Sequence, residues 1–348
     1  MTQAQNTQDI TIFGGGIMGL MAAYMLAKDH RVTIYDPKGF PGRNASYMAG
    51  GMLAPYAEIE HMSLEWVEAG LKSIDIWQDI PLETGFTQGG SLLIAHPEDR
   101  YILERFQSHL PPALRAHRDV HPLEAQLSQH HPRGLFLEEE AHLDPAKTMA
   151  ALCEHLKQHK NVSLNTQEAS PDPNTLTLDC RGMGANNDKL RGVKGETLIV
   201  RNTELSLKRP IRLMHPRYPL YIIPREDHVF MIGATVIESD TDEHVSLRSS
   251  MELMSALYAL HPSFADANII EMKAGIRPSH KDNLPRITIT ENLIQCNGLF
   301  RHGYLLAPIM AQCVKDYLHG HSNPYMGLFN DTTDQKGAAH ESHDQRAA

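Results

Sequence analysis

Three glycines, Gly14, Gly16 and Gly19, fall in the spacing G-x-G-x-x-G between an apolar run, Ile10 to Phe13, and an unbroken Ala- and Met-rich stretch, Ile17 to Lys28. A second apolar run, Val32 to Tyr35, ends on Asp36. Each residue type has work to do at its position. Gly14 lets a strand turn sharply into a helix, Gly16 lets a pyrophosphate approach bare backbone, and Gly19 lets the helix pack close to the sheet. The phosphates would sit at the helix N-terminus, where unpaired N–H groups and the helix dipole favour negative charge. Asp36, at the end of the second strand, is placed to bond both ribose hydroxyls and to repel a 2′-phosphate. Strand, helix, strand and acid all occur in order, so the pattern reads as a dinucleotide-binding βαβ unit.

A second candidate chemistry lies far along the chain. In Ala274-Gly275-Ile276-Arg277-Pro278 the proline forces Arg277 into an extended conformation. That places the arginine at a strand end and not on a solvated helix face. A guanidinium offers a planar fork that fixes a carboxylate in orientation as well as charge. Arg301 sits inside a glycine turn, Gly298 to Tyr304, where a carboxylate or nearby backbone carbonyls are both suitable partners.

Positioning these groups requires a sheet that returns several times. Residues 37–60 form a Gly-, Ala- and Pro-rich loop whose Met52 to Tyr56 portion is too apolar to be solvated. Ser46 can donate to a phosphate, and Gly50-Gly51 would admit a flat ring. Apolar spacing predicts an amphipathic helix over 63–79 and helices over 98–109, from Asp144-Pro145, and over 246–260, the last with Leu247, Met251, Met254 and Leu257 on one side. Strands are expected as a pair within 86–96, at 135–137, 162–164, 176–180, 197–200, 269–273 and 293–296, and as a hairpin joining 218–224 to 229–234. A closing helix follows from Leu306. The fold class expected is α/β. A discontinuous Rossmann-like dinucleotide domain (9–80, 141–190 and 272–320) is interrupted by a mostly antiparallel α+β substrate domain (81–140 and 191–271). Residues 321–348 form a tail expected to be disordered, most clearly over 331–348.

Bulk properties exclude several classes. The chain has 348 residues and a net charge of −10, whereas nucleic-acid binders are more often basic. No apolar run approaches a membrane span, and the polar start, MTQAQNTQD, does not read as a signal peptide. The four cysteines are scattered without a C-x-x-C, which suits reduced thiols in a cytoplasm and offers no zinc site. The histidines show no H-E-x-x-H pattern, so no metal is expected.

Four stretches, in this order, resemble the glycine oxidases of thiamine biosynthesis, within the D-amino-acid oxidase and sarcosine oxidase group. They are ASYMAGGMLAPYAE (45–58), YIIPREDHVFMIGATVIES (221–239), AGIRP (274–278) and GLFRHGYLLAPI (298–309). The resemblance implies non-covalent FAD, a sheet-floored substrate domain and a homo-oligomer, commonly a tetramer. It puts Ile17 and Met18 at the pyrophosphate and Tyr35-Asp36 at the adenosine ribose. Asn44, Ala45, Ser46, Ala49, Gly50 and Gly51 would line the FAD, with the last two nearest the flavin, and Ala169 would touch the adenine side. Leu299, Phe300, His302, Gly303, Tyr304 and Leu305 would run beneath the flavin N1–C2 edge. Arg277 matches the arginine that pairs with the substrate carboxylate, and Tyr221 and Arg301 match its helpers. This chain differs in having Lys273 where a Trp often precedes the AGLRP motif, His302-Gly303 where Asn-Gly is usual, and RGMGA (181–185) at the second FAD strand.

The implied reaction is oxidation of glycine or a small amino acid or amine to the imino acid, with O₂ reduced to H₂O₂ and the imine serving thiazole formation. Two other readings stay open at this level. One is a dehydrogenase of the same fold that passes electrons to a quinone or carrier. The other is a flavin-binding protein without catalysis.

Overall fold

The computed structural model describes residues 7–60, 62–185, 187–216, 220–241 and 244–330. The chain begins with β1 (Asp9–Phe13), α1 (Ile17–Leu26) and β2 (Arg31–Tyr35). After a long loop come β3 (Met52–Leu53), α2 (Leu64–Gln78), β4 (Ser91–Ile94), α3 (Arg100–His109), β5 (His117–Asp119), β6 (Arg133–Leu137) and β7 (Ala141–His142). Next are α4 (Pro145–Gln158), β8 (Val162–Asn165), β9 (Leu176–Asp179), β10 (Arg191–Arg201), β11 (Ile211–Leu213), β12 (Leu220–Pro224), β13 (Val229–Gly233) and β14 (Ile237–Glu238). The chain closes with α5 (Leu247–Leu260), β15 (Asn268–Ser279), β16 (Arg286–Ile289), β17 (Leu293–Asn297), α6 (Gly303–Leu318) and α7 (Met326–Phe329).

Two sheets divide the labour. The first has the order β16-β17-β9-β1-β2-β8, with β17, β9, β1, β2 and β8 parallel and β16 antiparallel at the edge. The second runs β14-β10-β13-β12-β11-β4-β6-β5, with β15 also paired to β10, and is mostly antiparallel. Helix α1 is buried almost all round, which explains why its sequence shows no polar face. Its small residues, Ala22 and Ala23, let it lie in one core with α6 and α4, while Leu20, Met21 and Leu26 fill the space to the sheet. Each such side chain contributes about 2 kcal/mol by leaving water. Helix α4 starts as its sequence dictates: the Asp144 carboxylate accepts from Ala146 N (2.9 Å) and Lys147 N (3.2 Å), with Pro145 at the first position.

Several expectations change. Residues 272–279 continue β15 and pair with β10 in the antiparallel sheet. The expected pair of strands within 86–96 is the single strand β4, which pairs with β6 and β11. On α5 the buried side chains are Leu253, Ala256, Leu257 and Leu260, so Leu247 and Met251 point outward. The helix packs on β10 and β13 through the smaller stripe, a choice helical period alone does not make. Residues 321–330 are not a loose tail: α7 buries Phe329, whose ring meets Trp66 edge-on at 5.3 Å. The remaining tail, 331–348, and the first residues of the hairpin expected from 218 lie outside the described residues.

Candidate active site

The glycine loop is built as its spacing requires. Gly14 has φ +104°, and a Cβ there would come within 2.5 Å of the carbonyl oxygen of Cys180, the residue after β9. At Gly19 a Cβ would run into the Gly14 carbonyl oxygen, so the glycine is what allows α1 to sit against the strand end. Asp36 does more than the sequence suggests. Its carboxylate accepts from Gly15 N (2.7 Å) and Lys38 N (2.9 Å), tying the glycine loop to the end of β2. A carboxylate can accept further bonds, so the ribose role is compatible with this one. Tyr35 stacks on Phe13 with ring centroids 5.6 Å apart.

The segment 44–51 wraps the start of α1. Asn44 Oδ1 accepts from Ser46 N (3.1 Å) and Tyr47 N (3.2 Å), and Ser46 Oγ accepts from Ile17 N (3.0 Å). Ile17 and Met18 are buried, so neither offers a phosphate its side chain, and Ile17 N is already bonded to Ser46 Oγ. Tyr304 is fully buried, and its hydroxyl donates to Ser46 O (3.0 Å) while its own carbonyl accepts from Trp77 Nε1 (2.8 Å). Gly51, at φ +74°, lies against Pro145.

Arg225 completes this clamp; it lies within the 221–239 stretch, whose resemblance assigns it no role. It donates through Nη1 to Leu143 O (3.0 Å) and through Nη2 to Gly50 O, and it faces Asp144 at 3.6 Å. The one signal that could have found it is strand period: Tyr221, Ile223 and Arg225 share one face of β12 and its continuation. Arg225→Ala would take this donor from the Leu143 and Gly50 carbonyls and remove the charge that faces Asp144. We expect a loss of about 3 kcal/mol in stability and reduced cofactor occupancy, measured by urea unfolding and by absorbance of the purified protein. Lysine should not restore either, because it lacks the fork.

The second group of candidate residues lies around Arg277. Its Nη1 donates to Thr235 O (3.0 Å), and the Tyr221 side chain lies beside the guanidinium. Burial pulls the Arg277 pKa down, Tyr221 opposes this, and the like charge of Arg301 adds to it. An under-solvated cation beside a second cation gains from an anion placed between them. Arg301 is exposed, with its guanidinium 5.1 Å above the Phe300 ring. The turn that carries it is held to the Arg277 strand by Phe300 N donating to Pro278 O (2.9 Å). Tyr221 lies beside the 44–51 segment: a Cβ on Gly50 would be 3.1 Å from its ring. Gly275 faces Met48 and Ala45 in the same way. The structure thus brings Arg277, Tyr221, Ala45 and Gly50 together, with Arg301 close enough to act electrostatically on Arg277.

The remaining candidate residues are distributed around this centre. Ala49 packs on the core around α1 and α6, Leu299, Leu305 and His302 are buried, and Gly303 contacts Ile17 at the start of α6. Ala169 is exposed in the loop after β8. Nearer to Asp36, an open cavity of about 460 Å³ is lined by Phe40, Lys157, Val162, Leu164 and Thr166. Lys273 Nζ pairs with Glu271 (3.0 Å) and lies 5.3 Å over the Tyr47 ring, so its charge is answered locally. Among the described residues no group of three His, Cys, Asp or Glu is arranged to hold a metal, and no helix is long and apolar enough to cross a membrane.

Two buried groups beside the site titrate in opposite senses. Burial pushes the Glu140 carboxyl up to about 7, against the pull of Arg212, and burial pushes His142 down to about 4, with Arg225 adding to the shift. Glu140 therefore contributes stability below its unfolded pKa of about 4.5, lost as pH rises through 7. His142 acts the other way: stability is lost as pH falls from about 6.5 toward 4. Glu140→Gln removes the first effect and leaves the second. Its unfolding midpoint in urea should drop more steeply than wild type between pH 6.5 and 4.5; parallel curves would count against this assignment.

A glycine-lined helix N-terminus, beside a sheet that carries a half-buried arginine, defines a dinucleotide-dependent enzyme. The chain belongs to the FAD dependent oxidoreductase family (DAO), whose model matches residues 9–170 and 173–317. FAD is accordingly its cofactor. The Gly14–Gly19 loop, the start of α1 and the Asp36 and Ser46 side chains that bond to Gly15 N and Ile17 N are the groups that would hold it. The chain is 40% identical over 307 residues to the putative thiamine biosynthesis oxidoreductase ThiO of Rhizobium etli, covering 87% of this chain and 94% of that one. It is 24% identical over 347 residues to the glycine oxidase of Bacillus subtilis, covering 89% and 92% of the two chains. Among solved structures, the glycine oxidase of Geobacillus kaustophilus superposes with a TM-score of 0.80 at 21% identity, covering 94% of this chain and 99% of that one.

Proposed function

We propose that the protein oxidises glycine or a similarly small amino acid to the imino acid, with O₂ reduced to H₂O₂, and that the imine serves thiazole formation in thiamine biosynthesis. The observation that carries this reading is the half-buried Arg277, lying beside Tyr221 and set against the 44–51 segment. The fork of Arg277 takes the carboxylate, Thr235 O holds the guanidinium in place, and Tyr221 lies beside it. Arg301 adds positive potential at the same point. Fixing the carboxylate fixes the direction of the adjacent Cα–H bond, which is the geometric requirement of the reaction. Bound FAD supplies the two-electron acceptor. The substrate loses one hydrogen from Cα and one from nitrogen as C=N forms, and O₂ takes up the two electrons and two protons. No side-chain base is required beside Arg277. The names of the relatives support glycine as the substrate and thiamine biosynthesis as the setting. Non-covalent FAD, the cavity beside Asp36 as the adenine end of the site, a homo-oligomeric state and a cytoplasmic location complete the proposal.

The test is anaerobic. The purified protein should show a flavin band near ~450 nm, and excess glycine, sarcosine or D-alanine should bleach it. Recolouring in air with H₂O₂ released would support an oxidase. Recolouring only with an artificial dye would favour the dehydrogenase reading. A flavin that none of the three bleaches would sink the substrate assignment.

A further inference from the structure

The strand pair β10–β15 contains a directly opposed pair of glycines, Gly195 and Gly275. Two side-chain-free residues facing each other leave a notch in the surface of an otherwise side-chain-covered ladder. The Arg277 side chain lies back along the sheet into this notch. A Cβ on Gly195 would fall 2.7 Å from Arg277 Nη1 and closer still to Nη2 and Cζ, nearer than real Cβ atoms approach any neighbour. The other half of the notch, over Gly275, is covered by Met48 and Ala45 at 3.4 and 3.7 Å from the equivalent position. The guanidinium and the cofactor loop are therefore seated side by side in one glycine-made recess. The recess is held by the residue next to Gly195: Glu196 N donates to Thr235 Oγ1 (2.9 Å), and Thr235 N to Glu196 O (3.2 Å). That bridge fixes the carbonyl of Thr235, which accepts from Arg277 Nη1 (3.0 Å). A second glycine repeats the device one strand away. Gly233 is the cross-strand partner of Tyr221, and a Cβ there would be 2.9 Å from the tyrosine hydroxyl and 3.0 Å from its ring.

We propose that Gly195 is a positioning residue for substrate recognition: its missing side chain sets where the Arg277 guanidinium lies, and so where the carboxylate of the substrate is held. This rests on the reading of Arg277 as the carboxylate anchor given above. Gly233 plays the corresponding part for Tyr221. A methyl group at 195 lifts the guanidinium off the sheet by about 1 Å, a misplacement that costs roughly 10²-fold in rate.

The experiment is a double-mutant cycle on the holoenzyme with Gly195→Ala and Arg277→Ala. It is read by kcat/KM for glycine and by titration of the oxidised flavin spectrum with acetate, a carboxylate with no amine to oxidise. Gly195→Ala should weaken acetate binding and lower kcat/KM about 10²-fold while FAD content is retained. In the Arg277→Ala background the same change should have no further effect, because its action passes through the arginine. Additive losses in the double variant, or wild-type acetate binding by Gly195→Ala, would overturn the proposal. If instead Arg277→Ala itself leaves acetate binding unchanged, the anchor reading fails and the positioning role falls with it. Should Gly195→Ala not fold, the double variant decides. Removing the arginine removes the clash, so a double variant that folds supports the assignment, and one that also fails to fold refutes it.

Discussion

Arg277→Ala should lower kcat/KM for a carboxylate substrate by roughly 10²- to 10⁴-fold, a few kcal/mol of transition-state binding. The size follows from where the guanidinium sits. It is half-buried, it donates to Thr235 O, and it lies beside a second cation, Arg301. A carboxylate arriving there exchanges water for a paired, charge-assisted contact in a site of low polarity. Loss of the arginine removes that contact and also the orientation of the Cα–H bond, so both KM and kcat should suffer. Arg277→Lys should recover only part of the loss, since a point charge cannot reproduce a fork. Steady-state kinetics with glycine, alongside FAD content and unfolding midpoint, checks this. An unchanged kcat/KM in a folded, flavin-loaded variant would remove Arg277 from the site.

The second large effect is expected at Gly19. The Cβ of Gly19→Ala would run into the Gly14 carbonyl oxygen, a backbone atom that cannot swing aside as a flexible side chain would. Helix α1 would have to move away from β1, opening the tightest part of the cofactor cradle and disturbing the core it shares with α6 and α4. The cost of such overpacking is about 3 kcal/mol in stability. The first-turn N–H groups would also leave the phosphate position, so FAD should be largely lost on purification. Gly327→Ala is the matched control. It lies in α7 with nothing within 4 Å of the added carbon, and it should keep the wild-type flavin content and midpoint. A Gly19→Ala protein as yellow and as stable as this control would disprove the packing argument.

The contrast between Gly19 and Gly195 shows how far local pattern reaches. Gly14, Gly16, Gly19 and Asp36 lie within a single strand-helix-strand unit. Their spacing is a property of consecutive residues, so their chemistry is legible in the sequence alone. The same holds for the Asp144-Pro145 start of α4 and for the extended conformation that Pro278 imposes on Arg277. Resemblance then joins these pieces to Tyr221 and Arg301. Local period misleads where two faces of a helix are both apolar: Leu247 and Met251 lie outside because α5 meets the sheet through Leu253, Ala256, Leu257 and Leu260. It also misleads at 321–330, where a polar stretch ends in a phenylalanine that α2 buries through Trp66.

The amino-acid sequence by itself determined the dinucleotide unit, the alternation of strands and helices, and the arginine able to hold a carboxylate, because each depends on residues adjacent in the chain. Only the tertiary structure decided that Gly195 lies beneath the guanidinium of Arg277, that Gly233 lies beneath Tyr221, and that Arg225 locks Gly50 to the substrate sheet. Those relations join strands that are distant in the chain. They arise from the register of β10 on β15 and of β12 on β13, which no local period encodes.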